Sequence, residues 1–458
     1  MNELFPYQRE GAQWLADSSE RWLLLADEPG LGKTAQCLEA INHLRIPEAL
    51  VVCPAIARLN WFGEVEKFSK TPLRLHAYSF NTTFLERETA TAKKTRTVTP
   101  RKELLRRWPL LIVDESHFLA NPSAQRSRAV YLHIAPYAER VWCVSGTPAK
   151  KDAGDMFTML KASGRFAGTY EQFITEFCQT VDTPYGMQII GSKNTTTLRK
   201  LWEPIMLRRK KSEVLPQLPP LLFCDVRIPA GPVDAEKWFP QACLGIEALN
   251  NLLKEIEQEQ AAMRLLLDHL PEHGNAANAL APLEHGIQKS RQWVELQKVE
   301  PVVELISQEL DDHAYDKIVL FCWHKSVMAE FMHRFKRFYP TQIRGSMTED
   351  ARKVQEKRFQ NDPRSRVMIG QTMACGVSIT LTAASEVAVV GPAFTPADNT
   401  QAVLRCHRIG QPRPVRARFF YIDNGTDKKM QQILMRRTRD MASLFDVPPL
   451  VVNPMEGL

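Results

Sequence analysis

No stretch of this chain is apolar for long enough to span a bilayer, and no two cysteines are spaced as C-x-x-C. The first absence argues against a membrane-spanning helix and a membrane partner. The second argues against a zinc ribbon. The nine cysteines (Cys37, Cys53, Cys143, Cys178, Cys224, Cys243, Cys322, Cys375 and Cys406) are scattered, most of them inside apolar runs. That pattern does not make a disulfide framework, and a reducing compartment is expected. The start, Met1-Asn-Glu-Leu-Phe-Pro6, lacks the charged and then apolar regions of a signal peptide, so none is expected. Charge of one sign is not in large excess either. The 59 Lys+Arg against 52 Asp+Glu leave a net +7, which suits a nucleic-acid partner without pointing to one. What remains is a chain of 458 residues, 44% apolar and 24% charged. That is too long for one core, so two or three globular domains are expected.

One stretch organises the rest. Trp22-Leu-Leu-Leu-Ala26 is apolar and reads as a strand. Asp27-Glu-Pro-Gly30-Leu-Gly32 reads as a turn, and Lys33-Thr34 opens a helical pattern. Glycines let backbone N–H groups close around phosphates, and a helix N-terminus adds positive dipole. The Lys adds a mobile cation and the Thr hydroxyl a Mg²⁺ ligand. The strict pattern G-x-x-x-x-G-K-[ST] is not met, because Asp27 stands where its first Gly belongs. Taken alone, an ordinary glycine turn would look the same.

Further apolar runs follow, each ending in small or acidic residues. Ala49-Leu-Val-Val-Cys-Pro54 is one, with Trp61 on the next helix. Leu110-Leu-Ile-Val113 runs into Asp114-Glu115-Ser116-His117, and Val141-Trp-Cys-Val144 into Ser145-Gly-Thr147-Pro148. Two acids at the end of a buried strand are costly unless something positive faces them, and a Mg²⁺–phosphate cluster is such a partner. Strands alternating with helices predict a parallel sheet with ligands at its carboxyl edge. Residues 81–107 are Thr-rich and basic, which suits a solvated loop or helix, or a strip against a phosphate backbone. Residues 152–212 read as helical and close on Leu207-Arg-Arg-Lys-Lys211, which suits a solvated face, a DNA contact or a hinge. Prolines 216, 219 and 220 mark a boundary. The expected domains are 1–212, an α/β lobe; 213–300, a helical connector; and 301–458, a second α/β lobe ending in a basic helix. In that lobe Asp398-Asn-Thr-Gln401-Ala-Val-Leu-Arg405-Cys-His-Arg408-Ile-Gly-Gln411 places two arginines three apart, on one face if the segment is helical.

In this order the blocks resemble the motifs of superfamily-two helicase-like motors, specifically the switch/sucrose-nonfermenting (Snf) class of DNA translocases. Leu4-Phe-Pro-Tyr7-Gln8-Arg-Glu-Gly11 looks like the adenine-recognising Q motif. Asp27–Thr34 resembles motif I, in which this class carries an acid at the first position; Pro29 is unusual there. Pro54 with Trp61 resembles motif Ia, Asp114–His117 motif II, and Ser145–Pro148 motif III. Trp323, and then Gly345-Ser346 with Arg352, resemble motif IV and its extension. Met373–Thr382 stands at motif V and keeps a single glycine, Gly376. Gln401–Gln411 resembles motif VI. Ser290–Val299, before the second lobe, looks like the HepA-related annealing-helicase branch. No chromatin-reading segment stands out, and the compact chain suggests a bacterial or phage source with a cytoplasmic location, nuclear if eukaryotic.

The resemblance implies two RecA-like lobes with ATP and Mg²⁺ as cofactors and DNA, duplex or forked, as a sequence-independent partner. Tyr7, Gln8, Asp27, Gly30, Gly32, Lys33, Thr34 and Gln401 would bind nucleotide, with Thr34 and Asp114 on the metal. Lys33, Asp114, Glu115, Arg405 and Arg408 would carry catalysis. Pro54, Trp61, Ser145, Thr147, Trp323, Gly345, Gly376 and Gln411 would contact DNA or couple it to hydrolysis. The alternatives are a strand-separating or annealing helicase on forked DNA or RNA, and a nucleic-acid scaffold with a dead ATP site.

Overall fold

The computed structural model describes residues 3–55, 57–88, 96–183, 186–233, 291–372, 379–423, 425–445 and 453–454. The chain forms two units, one of residues 1–179, 191–217 and 443–447, the other of 180–190, 218–442 and 448–458.

The first unit is built on six parallel strands: β1 (Trp22–Leu25), β2 (Glu48–Cys53), β3 (Arg74–Ser79), β4 (Trp108–Asp114), β5 (Ala138–Val144) and β6 (Met206–Leu207). Their order is β6-β1-β5-β4-β2-β3. Leu23–Leu25, Ala49–Cys53 and Leu110–Val113 are almost wholly buried, because helices cover both sheet faces and no polar alternation is needed. The helices used below are α1 (Pro6–Asp17), α2 (Lys33–Leu44) and α3 (Ala57–Phe68). Register aligns the strand ends. Leu25 pairs with Val144 and with Leu207, and Asp114 pairs with Val144. The residues that follow these strands therefore leave the sheet at one level, its carboxyl edge. One expectation fails here. Cys178–Thr183 and Gly186–Ser192 are paired strands rather than helix. Thr180, Val181 and Thr183 are β-branched and favour that state.

The second unit holds a seven-stranded parallel sheet: β7 (Leu221–Ile228), β8 (Ile318–Cys322), β9 (Thr341–Ile343), β10 (Val367–Gln371), β11 (Glu386–Val389), β12 (Val415–Ile422) and β13 (Asn453–Pro454). Their order is β9-β10-β8-β11-β12-β7-β13. Residues alternate between two core layers. Ile318, Leu320, Val367, Ile369 and Phe420 face one, and Val319, Phe321, Met368, Val387 and Phe419 the other. Helices of this unit used below are α4 (Val299–Asp311), α5 (Lys325–Arg334), α6 (Glu349–Asn361), α7 (Pro396–Val403) and, up to Ala442, α8 (Gly425–Phe445).

Two further expectations are corrected. Residues 213–300 are expected to form a helical connector, yet Leu221–Ile228 is strand β7, paired along its length with β12. An eight-residue run ending in Asp-Val-Arg-Ile has too few polar positions for an exposed helix. Residues 234–290 of that connector lie outside the described residues. The helix expected to carry both arginines of motif VI stops at Val403. Arg405, Cys406 and Gln411 donate their N–H groups three residues back, to Ala402, Val403 and Arg408, in tight successive turns. Further on, Gly410 takes φ +93° and Pro412 follows, so no helix resumes there.

Candidate nucleotide site

The site assembles at the carboxyl edge of the first sheet. Gly30 and Gly32 both have positive φ, +93° and +72°. Gly32 caps α2 in a left-handed conformation, and a Cβ there would lie 2.3 Å from Gln8 Nε2. Lys33 and Thr34 open α2, where backbone N–H groups lack helical partners and suit an anion. Lys33 Nζ donates to the carbonyls of Asp27 at 2.7 Å and Glu28 at 3.2 Å. Burial pulls its pKa down, while the charges of Glu115, Asp27 and Asp114 pull it back up.

Asp114 ends β4 half-buried, and Trp61 Nε1 donates to its Oδ2 at 2.9 Å. Burial, and after it the neighbouring charge of Glu115, raise its carboxyl well above the usual range. Glu115 sits at φ +53°, a left-handed conformation uncommon for a side-chain-bearing residue and found at functional turns. One of its oxygens, Oε2, is buried 3.3 Å from His117 Nδ1 and makes no hydrogen bond in the protein. Two crowded acids, one disfavoured as an anion and the other holding an unsatisfied oxygen, make a donor set that fits a hard divalent cation and a water. His117 Nδ1 lies 2.8 Å from Ser145 Oγ, and burial drives its pKa well below the ordinary value, so the ring is neutral. Thr147 donates its N–H to the same Ser145 Oγ. Motifs II and III are thus one hydrogen-bonded unit. Pro29 finds its reason here. A Cβ on Gly146 would come within 2.6 Å of the Pro29 ring, so the proline packs flat on the glycine and joins the phosphate loop to motif III.

Several predicted residues stand elsewhere than expected. Trp61 is wholly buried and holds Asp114 rather than reaching DNA. Tyr7 is buried, stacked on Phe5 with the Arg209 guanidinium over its ring, and burial raises its pKa to about 12. The Gln8 amide accepts from Phe5 N–H and donates to the Leu31 carbonyl, so it bridges α1 to the loop. Asp27 has no exposure; it is bound by Arg209 at both carboxylate oxygens (3.1 and 2.6 Å) and by Gln36 at 3.0 Å. It orders the loop from behind and does not face a ligand. Pro54 follows β2 at the same edge.

The second unit carries the rest. Arg405 is buried, and its carbonyl accepts from Leu381. Arg408 donates to Thr380 Oγ1 at 3.2 Å. Gln401 is buried in α7, and Gln411 donates to the carbonyls of Thr382, Ala384 and Cys406, clamping two loops together. Gly345 donates its N–H to Gln371, and its carbonyl accepts from Arg352. Trp323 is held by Glu295, which accepts its N–H at 2.6 Å, and by the Arg291 guanidinium 4.4 Å from its ring. Gly376 lies outside the described residues.

Sequence reasoning missed Arg209, Gln36, Arg291 and Glu295. Arg209 and Gln36 lie 182 and 9 residues from Asp27, and the only signal was the arginine pair after the apolar Ile205-Met-Leu207.

A phosphate loop and an acid pair at the carboxyl ends of two strands that flank β5 in one parallel sheet, and a second such sheet with arginine-bearing turns, define an ATP-hydrolysing enzyme with two RecA-like lobes. Residues 7–228 match the SNF2-related domain, and residues 297–410 match the helicase conserved C-terminal domain. The chain belongs to the SNF2-related family of helicase-like ATPases. Among curated proteins it is 27% identical to the SWI/SNF-related matrix-associated actin-dependent regulator of chromatin subfamily A-like protein 1 of Xenopus tropicalis, over 96% of this chain and 44% of that protein. It is 28% identical to the human DNA annealing helicase and endonuclease ZRANB3, over 99% of this chain and 41% of that protein. The chain thus spans less than half the length of these relatives. Among solved structures it is similar to the Sulfolobus solfataricus SWI2/SNF2 ATPase core in complex with dsDNA, at 20% identity and a TM-score of 0.41, covering 94% of this chain and 90% of that one.

Proposed function

We propose that the chain couples Mg-ATP hydrolysis to translocation along duplex DNA, reading the phosphate backbone rather than the sequence. The observation that carries this is the meeting of Lys33, Asp114 and Glu115 at one sheet edge, tied through His117 to Ser145. Lys33 takes the β/γ-phosphates, Thr34 and Asp114 hold Mg²⁺, and Glu115 orients the attacking water. Mg²⁺ at that position neutralises charge on the transferring phosphoryl group. Arg405 and Arg408 of the second unit act as arginine fingers. Tyr7 and Gln8 set the nucleoside end of the site from behind the loop. Trp323, Gly345 and Gly376 act on the DNA side, and Gln411 holds the turns that present Arg408.

A second reading, annealing or remodelling of forked DNA, draws on the name of the human relative and on residues 291–298, whose Arg291, Glu295 and Lys298 fasten a helical segment onto the edge of the second sheet. The test is ATP turnover with duplex, forked and single-stranded DNA and with RNA, for wild type and Lys33→Ala. Stimulation by duplex with loss in Lys33→Ala supports translocation, and a clear preference for the fork supports the second reading. Stimulation by RNA alone, or equal slow turnover by both proteins, overturns both.

A further inference from the structure

The phosphate loop has a second set of contacts on the side away from Lys33. Residues 206–211 run beside it. Ala26 N–H donates to the Leu207 carbonyl at 2.7 Å, and Glu28 N–H to the Arg209 carbonyl at 3.0 Å. In return, Arg209 N–H donates to Asp27 Oδ1 at 3.1 Å, and Lys211 N–H to Glu28 Oε2 at 2.7 Å. The Arg209 side chain grips Asp27 through two nitrogens and donates to Gln36 Oε1 at 2.9 Å and to the Tyr7 carbonyl at 2.5 Å. Gly11 has no side chain because a Cβ there would lie 1.9 Å from Gln36 Oε1 and 2.6 Å from Arg209 Nη2. One guanidinium therefore joins α1, α2, the loop and β6.

Residues 27 and 28 are the shared part. Their carbonyls accept from Lys33, while their side chains and the Glu28 N–H bind 209–211. Phosphate oxygens and these two carbonyls compete for the same ammonium. A few residues beyond Lys211 the chain passes, at Gln217–Leu218, into the second unit.

We propose that Arg209 is a positioning residue for the phosphate loop, and that the Asp27–Glu28 dipeptide transmits the engagement of Lys33 to residues 206–211, the chain that leads into the second unit. The planar fork is essential, since a lysine supplies the charge but cannot bind both Asp27 oxygens together with Gln36 and the Tyr7 carbonyl. This inference rests on nucleotide binding at Lys33.

The experiment measures binding of mant-ADP with Mg²⁺, hydrogen exchange across 206–215 with and without it, and ATPase kinetics. The proteins are wild type, Arg209→Lys and Glu28→Ala. In wild type, mant-ADP is expected to change exchange at 206–215 as well as in the loop. Arg209→Lys is expected to raise KM for ATP about tenfold with kcat changed far less, and to remove the nucleotide-dependent exchange at 206–215 at saturation. Glu28→Ala, which leaves the guanidinium in place, is expected to halve that exchange response while its melting temperature stays near wild type, so the test survives misfolding of the first variant. If wild type binds mant-ADP but 206–215 does not respond, or responds equally in both variants, the transmission is overturned. Arg209→Lys with unaltered KM overturns the positioning role. Failure of wild type to bind mant-ADP overturns the nucleotide reading itself, and this inference with it.

Discussion

Asp27 is a buried acid whose partner comes from the far end of the same unit, and that pairing sets what substitutions there do. Removing the arginine alone leaves a carboxylate in the interior with only Gln36 and the Arg209 backbone N–H, which typically costs about 3–5 kcal/mol. Removing both charges costs less than the two single losses added together, because no unpaired charge remains. Apparent melting temperatures of Asp27→Asn, Arg209→Gln and the double variant are therefore expected to be non-additive, with the double no lower than Arg209→Gln. Additive losses would mean that the two side chains act independently. Trp61 is a second such residue. Its indole N–H is a fixed donor to Asp114. On the proposed reading Asp114 holds Mg²⁺, and such partners of a metal-ligand carboxylate are worth roughly 10–100-fold in metal affinity. Trp61→Phe keeps most of the packing and deletes the donor. It is expected to need about tenfold more Mg²⁺ for half-maximal ATPase activity, as read by Mg²⁺ titration at saturating ATP.

The elements around the site follow from local rules, and their ends carry the chemistry. Strands β1, β4 and β5 carry buried apolar runs (Leu23–Leu25, Leu110–Val113 and Val141–Val144) because helices cover both faces, and at the carboxyl edge side chains that need water or a ligand begin where that cover ends. In the second unit a buried charge within strand β12 holds α4 to its sheet. Glu309 of α4 accepts two bonds from Arg418 of β12, at 2.6 and 2.8 Å, and one from Tyr315 at 2.6 Å. Burial alone would raise its carboxyl; the bonds from Arg418 outweigh that and lower it below the usual range. A depressed carboxyl contributes stability above the unfolded pKa of about 4.3 and loses it as pH falls through the folded value. Glu309→Gln is expected to be roughly 3 kcal/mol less stable than wild type near neutral pH. That gap should narrow as pH drops below about 4, measured by urea midpoints from pH 7 to 3. A gap that stays constant would mean packing rather than charge sets it.

On the proposed reading the catalytic groups of the whole molecule are divided between two sheets, and the functional prediction is correspondingly a divided one. Arg408→Ala is expected to lower DNA-stimulated kcat by ~10³-fold while mant-ADP affinity stays within a few-fold, because an arginine finger acts on the transition state and the loop holds the ground state. Equal losses in both would place Arg408 in folding rather than catalysis. The sequence by itself determined the two α/β lobes, the phosphate loop and the acid pair. Each depends on short-range pattern: an apolar run, a glycine turn, a helix start within about ten residues. It could also align motif with motif through family resemblance. Only the tertiary structure decided which of those residues face a ligand. Asp27 points into the protein because Arg209, distant in sequence, neutralises it there. Trp61 is core rather than surface, and Pro29 fits because Gly146 lacks a side chain. The arginines of motif VI leave the helix because the chain after Val403 turns back on Ala402 and Val403, and Leu221–Ile228 becomes strand because β12 offers an unpaired edge. These are pairings across long sequence separations, where loop closure and packing choose among partners that local propensity leaves equivalent.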